Sequence, residues 1–212
     1  MKNNSDSIIK IKKPSEINLS SIIQDSAKKT FLMTAANAGS GVTSSSLSLA
    51  EELSKIAAGS VLIIDTSISK DNLTTMLGKE TALGLTDIET NQETINIVDY
   101  LYKFNNFYLM PCGRNSRKIQ ETINKDINKI LKTLSSKFRF IILDGDAIYG
   151  NVNAIDLASK VDGVILVVQA EETRWEVAQA AQKRLKQAGA DIIGCVFNDR
   201  KYYTPSWIYN KL

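Results

Sequence analysis

Histidine is absent from this sequence. That removes at once the usual general base, the serine-histidine triads and the commonest zinc ligand, so any chemistry falls to carboxylates, hydroxyls, lysine or a bound metal. Cysteine is scarce: Cys112 and Cys195 are the only two. They lie far apart and border apolar runs, which argues against a disulfide framework and fits reduced packing residues of a cytoplasmic protein. There are three prolines and no low-complexity block. No apolar run approaches membrane-spanning length. The start, residues 1–13, sets lysines around the short apolar pair Ile8 and Ile9, so no signal peptide and no membrane insertion are expected. A strong charge is missing too. A formal net charge of +3 falls short of the basic excess of a nucleic-acid-binding domain, and no nucleic-acid partner is expected.

What is present fits one well-buried domain: 212 residues, 43% hydrophobic and 23% charged, near ordinary globular usage. The chain is expected to divide into a polar N-terminal arm (1–28), a P-loop-like domain (29–198) and an aromatic C-terminal tail (199–212). Buried strands are expected at 29–35, 61–65, 107–110, 138–144, 163–169 and 191–197, because short continuous apolar runs mark strands covered on both faces. Helical patterns separate them at 43–56, 93–104, 117–136, 153–160 and 173–188. Ile119, Ile123, Ile127 and Ile130 form a core-facing stripe on the third of these helices, and Gly189 closes the last. Regular βαβα alternation predicts an α/β fold: an open, mainly parallel sheet with helices on both faces, a three-layer αβα sandwich. Its ligand site would lie at the carboxyl ends of the strands.

Between the first strand and the first helix stands ANAGSGVT, residues 36–43, in the place of a P-loop, G-x-x-x-x-G-K-[ST]. Ala36 replaces the first glycine and Val42 replaces the lysine. Gly39 and Gly41 would let the backbone approach an anion, Ser40, Val42 and Ser44 would offer amides, and the Thr43 hydroxyl would ligate magnesium at a helix N-terminus. An ammonium about 4 Å from a phosphate oxygen is worth roughly 4 kcal/mol at an effective dielectric of 20, so losing it should impair hydrolysis most. Taken alone, the segment is equally a plain tight strand-to-helix turn. Asp65 and Asp144 end apolar strands at the expected ligand edge and are the candidates for catalysis and, with Thr43, for magnesium. The alternative role for both is capping or turn formation.

With the other segments in view, the chain resembles the cytoplasmic domain of bacterial tyrosine kinases that serve capsule and exopolysaccharide synthesis, within the Min/Par-like deviant P-loop ATPases. VLIIDTS at 61–67 resembles that family's second acidic motif, with Ser67 in place of its second aspartate. Leu77 and Gly78, GLTD at 84–87 and LMPCG at 109–113 resemble the segments that follow. FIILD at 140–144 looks like the Walker B strand. VDGVILVV at 161–168 with Thr173 and Arg174 gives the closest match, and residues 189–198 resemble the strand whose final asparagine, here Asn198, contacts adenine. Where the family has D-T-P-P, this chain has DGDA at 144–147. Asp146 there is read as a solvated turn carboxylate that repels phosphate, or else as an extra metal ligand. The family's upstream oligomerisation motif is matched only at Glu16, which leaves self-association open.

The resemblance implies ATP and magnesium as cofactors, bound weakly or not at all here, and an inner-membrane polysaccharide co-polymerase or other export-machine protein as partner. It also implies a tail phosphorylated on tyrosine, with Tyr202, Tyr203 and Tyr209 as acceptors; the same residues read as an aromatic strip that packs on the sheet or on a partner. The expected function is a degenerate kinase-like cytoplasmic subunit or regulator, held at the inner membrane through that partner. Two alternatives stand beside it: an active ATPase or tyrosine autokinase in which another lysine, such as Lys70, compensates, and a Min/Par-like positioning ATPase.

Overall fold

The computed structural model describes residue 23 and residues 27–57, 60–90 and 96–199. Seven strands make one sheet: β1 (Thr30–Ala35), β2 (Val61–Asp65), β3 (Tyr102–Phe104), β4 (Phe107–Met110), β5 (Phe140–Asp144), β6 (Gly163–Gln169) and β7 (Ile192–Asn198). Their order is β3-β4-β2-β5-β1-β6-β7, and every neighbouring pair is parallel except β3 with β4. Six helices connect them among the described residues: α1 (Val42–Ile56), α2 (Leu73–Met76), α3 (Ile119–Lys125), α4 (Ile127–Ser135), α5 (Asn153–Ala158) and α6 (Trp175–Gln187).

Side chains alternate across a strand, so a continuous apolar run feeds two cores. Phe31 and Met33 join Leu47, Ala50 and Leu53 of α1 on one face. Leu32, between them in sequence, joins Ile123, Ile130, Leu157 and Leu185 of α3 to α6 on the other. The sheet is therefore covered on both sides, as the alternation of elements requires.

Two expected helices come out differently. The described part of the helix expected at 93–104 is a 3-10 turn, Val98–Tyr100, followed by β3, which pairs antiparallel with β4. The deciding feature is Asn105-Asn106 between two aromatic runs. Asn105 takes φ 48°, a left-handed conformation that asparagine tolerates and that tight hairpins need. Phe104 and Phe107 then pair across the turn with ring centroids 5.3 Å apart. The helix expected at 117–136 is interrupted at Asp126, which separates α3 from α4. The Asp126 carboxylate accepts a hydrogen bond from Thr90 Oγ1 at 2.5 Å, holding the break against a neighbouring segment. The isoleucine stripe survives it: Ile119, Ile123, Ile127 and Ile130 are all buried.

The VDG stretch before β6 has a structural role. Asp162 Oδ2 accepts from Lys29 N (2.9 Å), Thr30 N (2.8 Å) and Thr30 Oγ1 (2.8 Å), clamping the start of β1 to the start of β6. At the opposite edge, Leu85 N donates to Pro111 O (2.9 Å) and Thr86 N to Cys112 O (3.0 Å). The GLTD and LMPCG segments are thus zipped together. Gly84 is needed there because a Cβ would stand 2.2 Å from Pro111 O.

Candidate functional site

The carboxyl ends of β1, β2 and β5 meet at one edge of the sheet. The loop after β1 turns into α1 through Gly39 and Gly41, both at φ 82°, a region that glycine alone enters without strain. Gly41 is demanded twice, since an added Cβ would lie 2.0 Å from Asn198 Nδ2. Asn198, expected to face a base, here donates through Nδ2 to Ser40 O at 3.1 Å and braces the loop. The helical ladder of α1 opens with Ser45 N to Gly41 O at 3.0 Å. The amides of Val42, Thr43 and Ser44 stay outside the ladder at the positive end of the helix. Val42 leans against the core on the α1 face.

Asp65 and Asp144 are register partners on β2 and β5, and both carboxylates are buried. Burial raises both pKa values, Asp65 to about 6 and Asp144 to about 7, and charge repulsion adds to each. Hydrogen bonds to the ionised forms oppose the shift. The two side chains are used differently. Asp65 Oδ1 accepts from Ser67 N (3.0 Å), and Oδ2 accepts from Thr74 N (2.7 Å) and Thr74 Oγ1 (2.5 Å). Both of its oxygens are thereby engaged in holding the turn after β2 and the start of α2. Asp144 Oδ1 accepts from Ser46 Oγ at 2.8 Å, while its Oδ2 is buried with no hydrogen-bond partner among the described residues. The Thr43 hydroxyl is near enough to lower the pKa of Asp144 yet makes no hydrogen bond of ordinary geometry to Oδ2, and a carboxylate oxygen and a hydroxyl so placed fit a hard cation reached through water. Among the described residues no group of three or more His, Cys, Asp or Glu is placed to hold a metal. A magnesium ion would take Thr43 and Asp144 together with oxygens of phosphate and water, and Asp65 only after breaking its present bonds.

Asp146 departs from the solvated turn carboxylate expected of it. It is half-buried and accepts from Ser67 Oγ, from Ile68 N (3.1 Å) and from Asn151 Nδ2 (2.7 Å). Backbone neighbours in a turn compete for a short acidic side chain; here Asn151 comes from the same loop, while Ser67 and Ile68 come from the turn after β2, which a linear sequence does not place.

A cavity of about 330 Å³ opens over the loop, with Gly39, Val42, Thr43, Ser67, Asp71 and Asp146 in its wall and no lysine or arginine among the described residues that line it. Lys70, the in-chain candidate to replace the lost lysine, lines a second cavity of about 280 Å³. Sequence reasoning missed the contact of Ser46 with Asp144, and missed Asn72, Thr74 and Asn151. Only Asn72 carried a signal, as an asparagine two residues before a Thr-Thr pair: it caps α2, its side chain accepting from Thr75 N at 2.9 Å. Tyr202, Tyr203 and Tyr209, and the segment around Glu16, lie outside the described residues. Arg174 is exposed at the start of α6.

No family model matches the chain. It is similar to tyrosine-protein kinase CpsD of Streptococcus pneumoniae serotype 4, with 25% identity over 171 residues, covering 80% of this chain and 75% of the relative. Among solved structures, the kinase domain of VpsO superposes with a TM-score of 0.78 at 24% identity, covering 87% of this chain and 92% of that one. The septum site-determining protein MinD of Pyrococcus horikoshii OT3, complexed with Mg-ADP, gives a TM-score of 0.64 at 20% identity, covering 86% and 76%.

Proposed function

We propose that this chain, whose homologues are the bacterial tyrosine-protein kinases, is a member altered at its phosphate loop, a cytoplasmic subunit or regulator of capsule or exopolysaccharide synthesis and export with weak or absent ATP hydrolysis. The observation that carries the reading is the wall of the loop cavity, where Asp71 and Asp146 stand and no basic side chain does among the described residues. A triphosphate brings several negative charges, and in a site of reduced dielectric each unopposed carboxylate weakens its binding. What the site keeps is the α1 N-terminus, Thr43 and the free oxygen of Asp144, which can hold a magnesium-bound phosphate without speeding its transfer.

In this reading Gly39 to Ser44 and Asn198 form the nucleotide side, and the tail tyrosines act as acceptors for a partner kinase. A membrane polysaccharide co-polymerase is the protein partner. No helix among the described residues is long and apolar enough to cross a membrane, so the partner would supply the membrane attachment.

Calorimetric titration of magnesium-ATP into the wild type, Val42→Lys and Thr43→Ala proteins tests the proposal, together with an assay for phosphate release. Expected are weak or undetectable wild-type binding, tighter binding by Val42→Lys by about 1.5–3 kcal/mol, and turnover near background in the wild type. Tight wild-type binding with sustained phosphate release would overturn it.

A further inference from the structure

The loop cavity and its neighbour share Ser69 and Asn72, so they form adjoining halves of one trench along the carboxyl edge of the sheet. Their charges differ. The loop half carries Asp71 and Asp146, whereas the second half carries Lys70 and Arg114, with Glu80 exposed at its wall. The two cations are differently prepared. Arg114 is held by Asp87, which accepts from its backbone N–H at 3.0 Å and from Nε at 3.2 Å. The terminal guanidinium nitrogens have no partner among the described residues. Asp87 is itself fixed by Gly84 N at 3.1 Å, within the zipped GLTD and LMPCG segments. Lys70 makes no ion pair with a described residue. Hydroxyls of Ser69, Thr75 and Ser116 line the same space. The Cys112 thiol in its wall is pushed up in pKa by burial, so it stays neutral and sets no thiolate against an anion.

We propose that this second cavity is a phosphate-monoester site, in which the Arg114 fork and the Lys70 ammonium grip the phosphate and the hydroxyls complete its hydrogen bonds. Guanidinium groups match phosphate oxygens in pairs, and an ammonium adds a mobile point charge. The volume of about 280 Å³ accommodates the phosphate and the first part of its bearer. The bearer is either a nucleotide lying along the trench or a phosphotyrosine side chain entering from outside. The site stands whether or not the loop half binds ATP.

The test is calorimetry at low salt on the whole chain with three probes: inorganic phosphate, capped phosphotyrosine, and ADP without magnesium. Wild type is compared with Lys70→Gln, Arg114→Gln and, as a control cation on α6 away from both cavities, Lys183→Gln, with melting followed by circular dichroism to verify folding of variants at these exposed positions. Expected is binding of at least one phosphate monoester, weakened about tenfold or more in Arg114→Gln, also weakened in Lys70→Gln, and unchanged in Lys183→Gln. Stronger binding of capped phosphotyrosine than of ADP names the side chain as the bearer, and the reverse names the nucleotide. Absence of binding by all three probes, or binding that Lys70→Gln and Arg114→Gln both retain in full, overturns the proposal.

Discussion

Ser67 Oγ donates a hydrogen bond to the carboxylate of Asp146, joining the turn after β2 to the turn after β5. The resemblance implies a second aspartate at position 67 and prolines at 146 and 147; this chain instead has Ser67 bonded to the Asp146 carboxylate on the turn after the neighbouring strand. Asp146→Ala should therefore cost about 1–3 kcal/mol of stability, because Ser67, Ile68 and Asn151 all lose an acceptor. Ser67→Ala should cost about 1 kcal/mol. Urea denaturation of both single variants and the double variant measures the coupling, and strict additivity would refute the link.

The buried acidic pair gives a pH dependence of unusual sign. Asp65 and Asp144 have folded pKa values of about 6 and about 7, raised by burial above the ordinary 3.8. Both hold their protons longer in the folded state, so their contribution is fully present below the unfolded value and is lost as pH rises through the folded values. Chemical denaturation between pH 4 and pH 8 should show stability from this pair falling as pH rises. Asp144→Asn should flatten that slope and stabilise the protein at pH 8 by on the order of 2–4 kcal/mol. A variant with the wild-type slope would rule out Asp144 as its source.

Gly41 and Asn198 are sterically coupled. Gly41→Ala forces a side chain into φ 82° and into Asn198 Nδ2, for about 2–3 kcal/mol of destabilisation. Asn198→Ala removes the clash but leaves the strain, so combining the two should restore part of the loss. Thermal melts of the set report this, and a double variant no better than Gly41→Ala would mean that backbone strain accounts for the whole cost.

Asp162→Ala should cost about 1.5–3 kcal/mol, since the three donors at the start of β1 lose their acceptor. Hydrogen exchange would show the effect, with faster exchange at the β1 and β6 ends than at β4. Uniform loss of protection across the sheet would refute a local clamp.

Most of the sheet was legible because parallel strands announce themselves as apolar runs: FIILD and VDGVILVV can sit nowhere but between two helical layers. The β3–β4 hairpin was not, since its cue was a pair of asparagines whose left-handed turn outweighed a helical spacing around Val98 and Leu101. In the site, strand ends were readable and cross-strand partners were not. Asp65 and Asp144 could be placed at the ligand edge by their position after apolar runs, yet nothing in the order of residues says that Thr74 occupies one and leaves the other with a free oxygen. The second cavity escaped because its cations arrive from turns 44 residues apart in sequence, at Lys70 and Arg114. Those turns become neighbours only once β2 and β4 pair.

β1 lies between β5 and β6, so the first strand of the domain finds both of its partners more than 100 residues further along, Thr30 aligning with Ile141 and Phe31 with Gly163. During synthesis the ribosome must deliver the chain through Asp144 before that strand can pair on one side, and through Gln169 before it can pair on the other. Closing such long loops is entropically costly and slow. An apolar strand of six residues stays unsheltered for that interval, which makes β1 the segment that a chaperone would hold and the one from which misassembly would start.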